Sequence, residues 1–202
     1  MTIWRDPQKL ILASQSSVRQ ALLHNAGLPF DAIPADIDER AAQISSGLTE
    51  PGRIAALLAR AKAADISSRH PGRVVIGADQ TLALGPRLFN KPNGREQAFT
   101  QLRDLAGRTH ELHAAIAVLR DSEVLFADVS MARMTMRPLG DDAINAYLDA
   151  AGNKVTTSVG CYQLEGLGVH LFDRIAGDHF TILGLPLLPL LGYFRQAGLT
   201  AI

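Results

Sequence analysis

Three short stretches of this sequence combine side chains that can hold an anion and activate a water. The first is Ala13-Ser14-Gln15-Ser16-Ser17-Val18-Arg19, where an apolar run hands over to a helical pattern. Small hydroxyl residues, free backbone N–H groups and an arginine at a helix N-terminus make a cradle for an anion. A plainer role is open to the same residues, with Ser16 or Ser17 capping the helix and Arg19 solvated in its first turn. No Gly-Lys-Ser/Thr follows a glycine run, so this is not a P-loop. The second stretch is Gly77-Ala78-Asp79-Gln80-Thr81, after a β-branched run. A carboxylate at the C-terminal end of an α/β strand sits where such sheets hold ligands. Asp79 could there orient a metal or accept a proton from water, or simply cap a turn. The third is Asp36-Ile37-Asp38-Glu39, whose carboxylates could share a hard divalent cation or lie solvated in a loop.

Lysine is scarce, which draws attention to where it falls. The chain has Lys9, Lys62, Lys91 and Lys154 against sixteen arginines. Lys62 and Lys91, the latter in Asn90-Lys91-Pro92, lie near the stretches above, and a compact ammonium is useful on a phosphate. Other features carry less chemistry. His110 and His113 are three apart in a strand-like run, which puts them on opposite faces and spoils chelation by the pair. Gly166-Leu167-Gly168 lacks the rest of a dinucleotide fingerprint and reads as a hairpin turn. Cys161 reads as a small buried residue, and Asp178-His179 as a turn pair.

The elements that must position these groups alternate in the first half. Residues 9–13, 29–34 and 73–78 read as strands, with 73–78 the most β-branched. Residues 17–26, 51–68 and 93–105 read as helices, Gly27 stopping the first. In the second half, 109–119 and 124–136 are long enough for two strands joined by Arg120-Asp121-Ser122-Glu123. Residues 141–150 read as a helix, 160–164 and 170–175 as further strands, and 186–197 as a final helix. The apolar stretch 181–194 reads as a strand end running into that helix. Strands alternating with helices, then a hairpin, indicate an α/β protein with a mixed sheet.

Composition narrows the class. The chain has 202 residues, of which 47% are hydrophobic and 20% charged. That length suits one domain or two closely joined lobes and needs no disulfide or metal staple. We read 1–202 as one such unit, with no legible boundary between lobes. Twenty basic residues balance twenty acidic ones. A chain of zero net charge lacks the basic footprint of a nucleic-acid binder or of a polybasic membrane patch. With one cysteine, no signal-peptide pattern and no apolar run long enough for a bilayer, a cytoplasmic location is expected.

Taken in order, Leu10-Ile11-Leu12-Ala13-Ser14-Gln15-Ser16-Ser17-Val18-Arg19, Asp38-Glu39, Gly77-Ala78-Asp79-Gln80, Asn90-Lys91-Pro92, Leu105-Ala106-Gly107-Arg108-Thr109-His110 and Gly184-Leu185-Pro186-Leu187 make a series. The series resembles the Maf family of nucleoside triphosphate pyrophosphatases from about residue 9 to 198. The resemblance implies an elongated mixed sheet flanked by helices, with two lobes about a central cleft, like the inosine triphosphate pyrophosphatases. It implies hydrolysis of a nucleoside triphosphate to the monophosphate and pyrophosphate with a divalent metal, Mg or Mn, and often a homodimer. By position, Asp79 takes the catalytic proton-acceptor role, and Ser14, Arg19, Lys62 and Lys91 the phosphate-binding roles. Glu39 takes an acidic metal or water-orienting position.

Departures from the family pattern fall at positions that implicate the base. Val18 stands where the common loop Ser-Pro-Arg-Arg has its first arginine, and Gln80 where threonine is common. Glu165, in Ser158-Val159-Gly160-Cys161-Tyr162-Gln163-Leu164-Glu165-Gly166, stands where glutamine is common. Gln80 and Glu165 are similar to the 7-methyl-GTP branch rather than the dTTP/UTP branch, while Val18 lacks the aromatic ring of the former. The expectation is therefore a pyrophosphatase preferring 7-methyl-GTP, with dTTP/UTP as the alternative substrate class. An alternative of another kind is a nucleotide-sensing regulator of septum formation or cell division acting through a protein partner.

Overall fold

Strict alternation of side chains along buried strands explains most of the architecture. In this computed structural model, which describes residues 3–202, the first half supplies strands β1 (Leu10–Leu12), β2 (Phe30–Ala32) and β3 (Val75–Leu84). A short strand β4 (Arg87–Phe89) turns back on β3. The second half adds β5 (Thr109–Arg120), β6 (Glu123–Met136) and β7 (Phe172–Ala176). They form one mixed sheet in the order β2-β1-β3-β5-β6-β7, parallel across the first three strands and antiparallel thereafter.

Odd and even positions of the strands feed different cores. Ile11, Val75, Ala115, Ala117 and Leu119 face helix α3 (Pro51–Arg69) and its stripe Ala55, Ala59, Ala63 and Ile66. Leu10, Leu12, Ile76, Ala78, Ile116 and Val118 face the opposite side, against α1 (Ser17–Asn25) and α7 (Leu187–Gln196). On this second face the sheet runs past Gln80 into a further core, while on the first face Thr81 still donates to the Pro51 carbonyl of α3 at 3.0 Å. Leu82, Leu112 and Met134 enter a separate cluster with α4 (Arg95–Leu105) and α5 (Asp141–Ala151). Separate cores therefore sit toward opposite ends of the same long strands.

The approach of α3 to β3 is unusually close. A Cβ on Gly77 would stand 2.0 Å from the Ala59 carbonyl oxygen and 2.7 Å from the Ala63 nitrogen. Only glycine fits there, and only alanines on the helix permit the contact. Because Asp79 shares the Gly77 face of the strand and Lys62 adjoins Ala63, this contact sets the two charged groups side by side.

Several expected elements differ. Strand β3 does not end at Ala78 but continues through Asp79, Gln80 and Thr81, so Asp79 lies mid-strand. Residues 160–164 are not a strand, because Gly160 and Cys161 adopt φ of 78° and 64°, which breaks an extended backbone. Consequently Gly166-Leu167-Gly168 turns no hairpin. Gly166 and Gly168 instead donate their N–H groups to the Gln163 carbonyl, ahead of a 3₁₀ turn at Leu167–Leu171. Nor does 181–194 begin as a strand end; it is a short helix α6 (His179–Ile182) followed by α7. Asp178 caps α6 by accepting from the Thr181 N–H at 3.0 Å. Helix α2 (Glu39–Ser46) and strand β4 were not expected at all. The hairpin between β5 and β6 is as read, tightened to a two-residue turn with φ of 51° at Asp121 and 65° at Ser122.

Candidate active site

A cleft of about 1340 Å³ opens between the end of the sheet that carries α1 and α3 and the segment following α5. Its floor is β3. Asp79 is 7% exposed and faces α3, where Lys62 donates to its Oδ1 at 2.6 Å. Lys62 also meets Glu39 Oε1 at 2.9 Å. The side chains of Asp79 and Lys62 keep 9% and 12% of their surface, whereas Glu39 keeps 52%. The pair is therefore rooted on the sheet side, and Glu39 closes it from the first turn of α2. Burial pushes the Asp79 carboxyl above the usual carboxylate range; Lys62 and Arg19 pull it down without cancelling that effect.

At the serine loop the helix cap expected in the plainer reading is present. Ser16 caps α1 by accepting from the Arg19 N–H at 3.3 Å, and the Ser16 N–H donates to Ser14 Oγ at 3.2 Å. Arg19 is not solvated. Its Nε donates to the Gly184 carbonyl at 2.7 Å, and Nη1 to the Ala78 carbonyl at 3.0 Å and Ser14 Oγ at 3.3 Å. Burial lowers its pKa, opposed by Asp79 and Glu39; a guanidinium remains charged regardless. Arg19 thus ties the α1 loop, β3 and the α6–α7 link together at the floor of the cleft. Gly184, with φ of 83°, is the residue that turns its carbonyl onto Arg19.

Next to Asp79, Gln80 points to the other face of the sheet. Its Nε2 donates to the Thr181 and Ile182 carbonyls at 3.0 and 3.1 Å, satisfying the C-terminal end of α6. Only Oε1 is then left for a ligand. Val18, Lys91 and Glu165 also line the cleft, with Lys91 and Glu165 exposed. Glu165 rides on the loop that Gly160 and Cys161 bend. That loop is pinned from beneath by Tyr162, whose Oη lies 2.7 Å from His110 Nε2 in the core. Burial holds the His110 pKa down at about 4, so the imidazole is neutral and shares one hydrogen bond with the tyrosine hydroxyl. His113 faces the opposite side of β5 beside Glu111, as the spacing requires. Cys161 is buried, with its thiol pKa pushed up to about 12.

All nine residues singled out from the sequence therefore line one cleft: Ser14, Val18, Arg19, Glu39, Lys62, Asp79, Gln80, Lys91 and Glu165. The acidic cluster does not act as a unit. Asp38 caps α2 through the Ala41 N–H at 2.8 Å, the Asp36 N–H donates to Asp65, and Glu39 alone turns inward. Sequence reading missed Arg40, Gln43 and Ile44, which line the cleft from α2. Their spacing of three and four was the available signal, but no apolar face accompanied it.

A model of Maf-like proteins matches residues 9–197. This chain belongs to the Maf family. A nucleoside triphosphate pyrophosphatase of Rhodopseudomonas palustris strain HaA2 is 70% identical over 201 residues, covering all of both chains. One from Bradyrhizobium diazoefficiens is 64% identical over 202 residues, again covering both fully. A 7-methyl-GTP pyrophosphatase of Rhizobium etli is 52% identical over 192 residues, covering 94% of this chain and 96% of that one. A dITP/XTP pyrophosphatase structure from Mycobacterium abscessus aligns with a TM-score of 0.40 and 14% identity, over 95% of this chain and 96% of that one, a loose likeness on which nothing rests. No helix among the described residues of this Maf chain is long and apolar enough to cross a membrane.

The metal that the family resemblance implies can be tested against the donors present. Among the described residues no three His, Cys, Asp or Glu side chains gather around one point. Two carboxylates, Asp79 and Glu39, do converge on Lys62. A Mg²⁺-like ion is commonly held by one or two carboxylates plus substrate phosphates, so this donor set fits such an ion only in company with a phosphorylated ligand.

Proposed function

We propose that the cleft hydrolyses a nucleoside triphosphate to the monophosphate and pyrophosphate. The supporting observation is a buried carboxylate, Asp79, paired with an ammonium beside Ser14 and Arg19 on the floor of a cleft with ample room for a nucleotide. The names carried by relatives of 64% and 70% identity agree with it.

In this reading Asp79 takes the proton of a water that attacks the α-phosphorus. The new P–O bond forms on the monophosphate, and the bond to the β-phosphate oxygen breaks, releasing pyrophosphate. Lys62, Lys91, Ser14 and Arg19 line the path of the triphosphate. Arg19 spends Nε and Nη1 on protein acceptors, so Nη2 is the nitrogen it offers a phosphate. Asp79 and Glu39 would hold a Mg²⁺ or Mn²⁺ ion, which when bound offsets phosphate charge and makes water more acidic. Burial keeps bulk water off Asp79 and strengthens each charge interaction around it.

The base falls to Glu165, Gln80 and Val18, and the preference we propose is 7-methyl-GTP. A carboxylate at Glu165 can accept from N1–H and the exocyclic amine of guanine, and N7-methylation adds positive charge that favours it. The 52% identical 7-methyl-GTP pyrophosphatase supports this choice. Val18 supplies no ring to stack on a cationic base, which limits the preference.

The experiment is pyrophosphate release with Mg²⁺ or Mn²⁺ from 7-methyl-GTP, GTP, dTTP, UTP and CTP. The expected result is release from several, fastest from 7-methyl-GTP. Preference for dTTP and UTP would refute the base assignment and leave the reaction standing. Orthophosphate as the product, or no product from any, would refute the reaction.

A further inference from the structure

Four cations line the cleft: Arg19, Arg40, Lys62 and Lys91. Two of them have their charge engaged by the protein. Lys62 sits between Asp79 and Glu39, which leaves that trio with a net negative charge, and Arg19 donates to two carbonyls and a hydroxyl. A triphosphate brought against Asp79 and Glu39 meets repulsion unless other cations answer it. Among the described residues, Arg40 and Lys91 line the cleft with no hydrogen bond or ion pair of their own. Lys91 already belongs to the phosphate-binding set. Arg40 has no role assigned.

Its setting is suited to one. Arg40 follows Glu39 in the first turn of α2, a helix of eight residues with none buried. Asp38 fixes one end through the Ala41 N–H, and Gly47, at φ 64°, fixes the other. The helix rests on α3, where Glu39 meets Lys62, and buries none of its own side chains fully. Arg40, Gln43 and Ile44 share one face, and that face lines the cleft. Ile44 stays 70% exposed there, an apolar side chain held toward the cleft with no protein cover. A guanidinium offers a planar fork that matches phosphate oxygens two at a time, and Arg40 has all its donors unspent.

We propose that Arg40 is a further substrate-binding residue, contacting the triphosphate from α2. The inference rests on the pyrophosphatase reading above and deepens it. Because Arg40 touches phosphates and not the base, its contribution is the same for every nucleotide.

The test is steady-state kinetics of Arg40→Gln on two nucleotides that the wild type turns over, at low and high salt. Arg60→Gln is the control, since Arg60 is exposed on α3 and does not line the cleft. Arg40→Gln is expected to raise KM about tenfold for both nucleotides, with kcat within about twofold and a weaker fall of kcat/KM with salt. Arg60→Gln should match the wild type. Arg40→Lys should recover part of the loss. An unchanged KM in Arg40→Gln, or a change confined to one base, would overturn the assignment while wild-type turnover kept the parent reading intact. A wild type that releases no pyrophosphate would overturn both.

Discussion

The two walls of the cleft are built to different standards of rigidity. On the wall formed by β3, α3 and the α1 loop, each proposed catalytic group is fixed by the sheet or by hydrogen bonds to it. Asp79 and Lys62 hold one another behind the Gly77–Ala59 contact, and Arg19 is bound at three points. On the facing wall Glu165 is exposed on a loop of short turns, pinned at a distance by Tyr162 and His110. In the proposed reading the groups nearest the reaction sit on the wall built on the sheet, and Glu165, the base-reading residue of the facing wall, sits where a side chain can change at little structural cost.

Breaking the rigid wall should have the largest consequences. Asp79→Asn keeps shape and loses the base, and turnover should fall roughly 10²- to 10⁴-fold with the fold retained, as circular dichroism and kcat would show. Near-normal kcat would remove Asp79 from the reaction. Lys62→Met leaves Asp79 and Glu39 unpaired. Melting should record a loss of up to about 3 kcal/mol, tempered by Glu39's exposure. Because Lys62 lowers the Asp79 pKa, its removal should also move the acid limb of residual activity to higher pH. An acid limb at the same pH in both proteins would contradict the pairing.

The pinned loop yields a stability effect. His110 titrates near 4 in the fold and near 6.5 when unfolded, so between those values the unfolded chain binds more protons. Stability is then full above pH 6.5 and drops by about 3 kcal/mol as pH falls toward 4. His110→Leu should flatten that part of a melting-temperature profile, at a cost near neutrality of about 1–3 kcal/mol for the orphaned Tyr162 hydroxyl. A variant with the wild-type slope would show that other groups carry it. The smallest effect belongs to the exposed wall. Glu165→Gln should shift preference from 7-methyl-GTP toward pyrimidine nucleotides by about tenfold or less, with melting unchanged. An unaltered substrate ranking would remove Glu165 from base reading.

Legibility in the sequence follows the same division. The β-branched run before Gly77 and the helical period of Ile54, Leu57, Leu58 and Ala61 exposed the buried sheet and its helix, because extensive burial leaves a strong signal. Polar Asp79, Gln80 and Thr81 hid the continuation of β3, since an ionisable residue inside a strand looks like its end. Helix α2 was illegible for a related reason: with nothing buried, it carries no apolar period. The misread strand at 160–164 shows the converse limit. Apolar residues there are buried, but Gly160 and Cys161 in left-handed conformations bend the chain for the sake of Tyr162 packing, a tertiary demand without a local pattern. Motif order brought together the side chains of the site, yet not what each was bound to; that Arg19 is a three-point clamp depends on Gly184, 165 positions away.

The central claim is attack of water at the α-phosphorus from the Asp79 side of the cleft. A turnover in ¹⁸O-labelled water, with the products separated and weighed by mass spectrometry, tests it directly. The account predicts one label in the nucleoside monophosphate and none in pyrophosphate. Label in pyrophosphate, or in orthophosphate released beside a nucleoside diphosphate, would contradict it.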